Sequence, residues 1–127
     1  MNATQKILVV DDEVELVQLY RLVLESVGYD VHGAYDGKQA LQIANKEQPH
    51  LVLLDVMMPG MDGIEVCRHM RDSGLDKQSC KIIMYTADDS HETRQSSITA
   101  GADELVSKTT PIYDLASKIK NYLTRAH

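Results

Sequence analysis

Three charged features in this chain each stand just beyond a short run of strand-forming residues. Asp11-Asp12-Glu13 follows Ile7-Leu8-Val9-Val10, Asp55 follows Leu51-Val52-Leu53-Leu54, and Lys108 follows Glu104-Leu105-Val106-Ser107. If those runs are parallel strands of one sheet, their carboxyl ends share an edge, and open α/β sheets bind ligands at that edge. Carboxylates crowded there repel one another and raise each other's pKa values. A divalent cation with oxygen ligands relieves the repulsion. Magnesium suits such a site, because it accepts one or two carboxylates, several waters and a phosphate oxygen. Lys108 would add a mobile positive point charge.

Each of these residues also has an ordinary role open to it. Asp11 or Asp12 could cap the helix that follows. Asp55 could be a polar strand end before the Pro59-Gly60 turn. Lys108 could be one more solvated lysine. Thr86, at the end of another apolar run, could be a β-branched strand residue. The convergence of the group on one edge favours a site.

The elements that must position them follow from periodicity. Residues 7–10, 51–54 and 82–84 are continuous apolar runs, as expected of strands buried on both faces. Residues 30–35 and 104–107 are more polar and are expected at the sheet edges. Between these lie amphipathic stretches, which gives βα units around a parallel sheet. Residues 13–27 carry a stripe of Leu16, Tyr20, Val23 and Val27 and stop at Gly28. Residues 38–47 bury Ala40, Leu41 and Ala44 before Pro49. Residues 63–73 end before Gly74. Thr110-Pro111 reads as a cap with proline in the first helical position, ahead of Ile112, Leu115, Ile119 and Tyr122. The stretch 90–100 is almost wholly polar, with only Ile98 and Ala100 to anchor it. It is expected to be among the least stable elements.

Bulk properties narrow the function. A length of 127 residues fits one domain over 1–127. The net charge of -6 disfavours nucleic acid and anionic membranes as partners. No stretch is long and apolar enough to span a bilayer, and Met1 to Lys6 lacks the plan of a signal peptide. A cytoplasmic location is the default expectation. Cys67 and Cys80 are spaced as two small buried hydrophobes rather than a C-x-x-C pair. His32, His50, His69, His91 and His127 show no metal-ligand spacing and read as surface or edge residues.

Asp11-Asp12, Asp55 within Leu-Leu-Asp-Val-Met-Met-Pro-Gly-Met-Asp-Gly, Thr86 within Met-Tyr-Thr-Ala, and Lys108 after Gly-Ala-Asp-Glu-Leu-Val-Ser resemble the response-regulator receiver domains of two-component signalling. The resemblance spans essentially the whole chain. It implies a flavodoxin-like, doubly wound α/β fold with five parallel strands in the order 2-1-3-4-5 and five helices. It implies that Asp55 is the phosphoacceptor, supplied by a histidine kinase or phosphotransfer protein. Asp12 and Asp55 would ligate Mg2+ directly, the backbone carbonyl of Met57 would be a third ligand, and Asp11 would act mainly through water. Thr86 and Lys108 would contact the phosphoryl oxygens. Such a domain promotes its own phosphorylation and dephosphorylation and is not a turnover enzyme. The segment 90–106, with part of the last helix, would form the output face toward a downstream protein or domain. Dimerisation on phosphorylation through that late face stays open, as does whether the receiver is free-standing or part of a longer protein.

Two positions depart from the family pattern. Leu105 stands where an aromatic switch residue is usual, and Thr109 where proline usually follows the lysine. Tyr85 is either a substitute ring or a core residue, the latter being the reading preferred here. The spacing from Lys108 to Leu115 leads us to expect a retained cis bond before Thr109, despite a cost of roughly 2.5–4 kcal/mol. Met57 and Asp88 sit where the family tunes phosphoryl lifetime. A haloacid-dehalogenase-type phosphatase would need an acid-base aspartate at Met57. A flavin binder would need a hydroxyl-rich loop where Asp11-Asp12-Glu13 lies. The remaining rival is a binding module that signals without phosphorylation.

Overall fold

The computed structural model describes residues 4–125. Five strands and five helices alternate along them: β1 (Lys6–Val10), α1 (Val14–Ser26), β2 (Asp30–Ala34), α2 (Gly37–Glu47), β3 (Leu51–Asp55), α3 (Gly63–Asp72), β4 (Lys81–Thr86), α4 (His91–Thr99), β5 (Glu104–Ser107) and α5 (Ile112–Arg125). The strands form one parallel sheet in the order β2-β1-β3-β4-β5. The fold is the flavodoxin-like one that the resemblance implies, with the two more polar strands at the edges. His127 and the first three residues lie outside the described part of the chain.

Strand parity sorts the core into two halves. Leu8, Val10, Val52, Leu54, Ile82 and Met84 face one way and pack with Ala40, Ala44, Val66 and Met70 from α2 and α3. Ile7, Val9, Leu51, Leu53, Ile83 and Tyr85 face the other way and pack with Val17, Tyr20, Leu24, Leu115, Ile119 and Leu123 from α1 and α5. Continuing the alternation, Asp11 and Asp55 project toward the α1 and α5 side, as does Tyr85. The two carboxylates and the phenol therefore share a face before any loop is considered.

Several local expectations need correction. The buried stripe of α1 is Val17, Tyr20 and Leu24, while Val27 is exposed. So many residues of α1 are apolar that two stripes fit the helical period. Leu123 rather than Tyr122 is the buried end of the α5 stripe. The carbonyl of Pro111 accepts from the Leu115 N–H, so proline is the cap of α5 and not its first residue. In α4, Ile98 is half exposed and Ser97 is fully buried instead. The Ser97 hydroxyl is satisfied by donating to the Thr93 carbonyl at 2.8 Å.

Two features fix the ends of the segments that matter for the site. Arg71 clamps the edge opposite the acidic cluster. It donates to the carbonyls of Gly101, Leu75 and Cys80 at 2.9, 2.9 and 2.7 Å and pairs with Asp103 at 3.0 Å. The end of α4 and the start of β5 are held by that clamp. At the site edge, Gly63 packs directly on the end of β3. A Cβ there would lie 2.0 Å from the Asp55 carbonyl oxygen. The Gly63 N–H also donates to the Val56 carbonyl at 2.9 Å. Only glycine permits α3 to start this close to the strand. Gly63→Ala is expected to lower stability by about 2–3 kcal/mol, the usual cost of overpacking against backbone. Urea denaturation measures it, and a change below about 0.5 kcal/mol would contradict the stated contact.

Candidate functional site

Asp11, Asp12 and Asp55 meet at the carboxyl edge of the sheet, where β1 lies between β2 and β3. One carboxylate oxygen from each lies within 4.8 Å of the others. Asp11 and Asp55 are buried, and Asp12 is exposed. Lys108 reaches the cluster from the loop after β5. Its ammonium is 3.1 Å from Asp11 Oδ2, 3.3 Å from Asp55 Oδ2 and 3.7 Å from Glu13 Oε1.

The two buried carboxylates are held differently. Asp11 is saturated: Oδ1 accepts from the Glu13 N–H at 2.9 Å, and Oδ2 accepts from the Tyr85 hydroxyl at 2.6 Å beside Lys108. Neither Asp11 nor Asp12 caps the first-turn amides of α1, whose cap residue is Glu13. Asp55 Oδ1 accepts from the Met57 N–H at 3.2 Å, while Oδ2 has no backbone or hydroxyl donor and is paired with the Lys108 ammonium at 3.3 Å. Burial, and next the charge of Asp11, push the Asp55 carboxyl up to about 6. Lys108 and the Met57 N–H pull the other way. Burial works against the Lys108 charge, yet Asp55 and Asp11 outweigh it and raise the ammonium's pKa. The Tyr85 phenol is raised too, by burial and then by its bond to Asp11, so it stays a donor.

The surrounding loops place the remaining candidates. Thr86 is buried, and its Oγ1 accepts from the Asp88 N–H at 3.0 Å rather than bonding to the acidic cluster. Asp88 in turn accepts from the Ser90 N–H at 3.1 Å and the Thr93 hydroxyl at 2.9 Å, at the start of α4. The Lys108 N–H donates to the Thr86 carbonyl at 2.8 Å, tying the two strand ends together. Met57 is mostly exposed beside the site. Leu105 is buried in the half-core with Ala100 and Ala102, so it has no exposed position to swing from. Tyr85 is buried on the opposite half, which bears out the core reading.

The cis bond expected before Thr109 is absent: every described peptide bond is trans. The physical reason is local. The Thr109 N–H donates to Ser107 Oγ at 3.2 Å, and the two hydroxyls lie 2.8 Å apart. Proline could not make the first of these bonds. Lys108 still reaches both buried carboxylates from this trans loop.

The sequence model of the response regulator receiver domain family matches residues 7–120. The chain belongs to the response regulator receiver domain family. This receiver domain is similar in structure to a CheY-like response regulator receiver domain protein from Methanospirillum hungatei JF-1. The TM-score is 0.91 and the identity 31%, over 98% of this chain and 97% of that one. It is also similar to the chemotaxis protein CheY4 of Vibrio cholerae, with TM-score 0.88 and 31% identity over 94% and 99% of the two chains. The BeF3-activated N-terminal receiver domain of Klebsiella pneumoniae RstA matches with TM-score 0.84 and 33% identity over 94% and 98%. Among the described residues of this receiver domain, no helix is long and apolar enough to cross a membrane.

The donor set fits a hard divalent cation. It offers carboxylate oxygens without thiol or imidazole, and one buried oxygen, Asp55 Oδ2, lacks a hydrogen bond. Without such an ion, Asp55 carries a destabilising charge. Its carboxyl titrates near 3.8 when unfolded and about 6 when folded. The native state thus binds the proton more tightly, and stability falls as pH rises through that window. In metal-free buffer at pH 7.5, Asp55→Asn is expected to be more stable than the unmodified chain by on the order of 2 kcal/mol. The advantage should vanish near pH 4. Urea melts at both pH values measure it, and an unmodified chain that is the more stable at pH 7.5 would contradict the assignment.

Proposed function

We propose that Asp55 accepts a phosphoryl group from the phosphohistidine of a histidine kinase or phosphotransfer protein, and that this receiver relays the charge change to its α4, β5 and α5 face. The observation that carries this reading is Asp55 Oδ2: buried, 3.3 Å from the Lys108 ammonium, and without a backbone or hydroxyl donor among the described residues. An oxygen with free lone pairs can bond to phosphorus. The P–N bond to the donor imidazole breaks as the P–O bond to Asp55 forms, and the imidazole leaves with the bonding pair. This transfer asks mainly for positioning and charge neutralisation. Mg2+, held by the Asp12 and Asp55 carboxylates and the Met57 carbonyl, would supply most of the positive charge that the phosphoryl oxygens need.

The protein's own residues do the rest. Lys108, already between the two buried carboxylates, neutralises added negative charge on Asp55. The two hydrogen bonds that Asp11 accepts, with the Lys108 ion pair beside them, support its acting through water rather than as a direct ligand. Met57 cannot transfer protons, which argues against a turnover phosphatase. The domain therefore accepts one group per donor and does not process external esters.

Transmission rests on Thr86. Its hydroxyl holds the Asp88 N–H, and Asp88 holds the first turn of α4 through Ser90 and Thr93. Drawing that hydroxyl and Lys108 toward a phosphoryl group would loosen the start of a helix that buries little besides Ser97. A marginal element biased by a local charge is a switch. Leu105 takes no part as a moving side chain, so the helix start carries the signal. Kinase identity and the downstream partner, which includes a second copy of this domain as a candidate, are set by surfaces outside this site.

Incubation with acetyl phosphate and Mg2+ is expected to add one phosphoryl group to the intact chain, read by mass under conditions that preserve acyl phosphates. Asp55→Asn should add none. An unmodified chain that stays unphosphorylated would favour a binding module that signals without phosphorylation. In hydrogen exchange, a phosphoryl mimic should change protection in residues 90–100, and equal protection with and without it would overturn the proposed relay.

A further inference from the structure

Tyr85 and Lys108 share one acceptor. The Tyr85 hydroxyl is 2.6 Å from Asp11 Oδ2 and the Lys108 ammonium is 3.1 Å from the same oxygen. The phenol has nowhere else to go. Its ring is buried and held edge-on by Tyr20, with centroids 5.7 Å apart and planes at 80°. Tyr85 is also paired in register with Asp55, and its carbonyl accepts from the Val56 N–H at 3.1 Å. The residue is thus braced on the phosphoacceptor strand while its hydroxyl points at the neighbouring carboxylate. Lys108 is held more loosely. It touches three carboxylates, and its ammonium lies 5.2 Å from the centre of the Tyr85 ring.

These contacts make Asp11 the competitor of any phosphoryl group for Lys108. Asp11 is fully buried, and a buried carboxylate oxygen left without a donor is strongly disfavoured. If Lys108 alone satisfied Oδ2, its departure toward Asp55 would strand that oxygen. We propose that Tyr85 is a positioning residue of the phosphoacceptor site: its hydroxyl keeps Asp11 satisfied so that Lys108 can leave Asp11 for a phosphoryl group on Asp55. The inference rests on the phosphoacceptor reading given above, and adds to it a residue outside the acidic cluster.

Tyr85→Phe tests this, because it removes one oxygen and keeps the ring against Tyr20. Binding of beryllofluoride, a phosphoryl mimic, is measured by calorimetry at saturating Mg2+, together with binding of Mg2+ alone. Losing one hydrogen bond to a charged group should weaken beryllofluoride about tenfold or more. Mg2+ affinity should change by less than about threefold, since Asp12 and Asp55 are untouched. In an Asp11→Asn background, where the lysine faces a neutral amide, Tyr85→Phe should cost less than about twofold. Unchanged beryllofluoride affinity in Tyr85→Phe would overturn the proposal. An equal loss in the presence and absence of the Asp11 charge, or a parallel loss of Mg2+ affinity, would also overturn it, since both mark a merely structural role. Failure of the unmodified chain to bind beryllofluoride at all would instead sink the phosphoacceptor reading, and this inference with it.

Discussion

The repulsion between Asp11 and Asp55 is the constraint around which this receiver is built. Both carboxylates are buried, and they meet within a cluster whose oxygens lie inside 4.8 Å. Two unit charges at such a distance repel by roughly 4 kcal/mol where the effective dielectric constant is about 20. Donors are shared unequally between them. Asp11 takes a backbone N–H, a phenol and an ammonium, while Asp55 takes one backbone N–H and a part of the same ammonium. Burial, and next the charge of Asp11, raise the pKa of Asp55. Asp55 is thereby left as the buried carboxylate with fewer donors, as the proposed phosphoacceptor role requires.

The fold concentrates that repulsion with ordinary means. Strand parity sends Asp11, Asp55 and Tyr85 to one face, and the parallel register sets Tyr85 beside Asp55. Gly63 lets α3 close on the end of β3 without a side chain between them. Lys108 arrives on a trans loop fastened by Ser107 and Thr109. The opposite edge is quiet by comparison: Arg71 ties three carbonyls and Asp103 together there. At the carboxyl edge, Thr86, Asp88 and the start of α4 form one chain of hydrogen bonds, and the proposed relay runs through it.

Much of this was legible in the residues. Strands buried on both faces are continuous apolar runs, so their charged termini mark the site edge in the sequence itself. What sequence could not supply was register. Whether the Tyr85 hydroxyl meets Asp11 depends on strand pairing and on Tyr20 behind the ring, neither of which a local pattern encodes. The α1 stripe was displaced because Leu16, Val17, Val23 and Leu24 satisfy two phases of the same period. The burial of Ser97 leaves no mark in the sequence, because its hydroxyl is satisfied by its own helix. The cis bond expected at Thr109 failed for a similar reason: Ser107 supplies an acceptor that only a non-proline residue can use.

The most direct test of the central claim is the titration of the Asp55 side-chain carboxyl by carbon NMR, with and without Mg2+. The account predicts an apparent pKa of about 6 in metal-free protein. Saturating Mg2+ should lower it by more than about one unit, because a dication at the cluster favours the charged form. An ordinary carboxylate value in both conditions, insensitive to the metal, would contradict it.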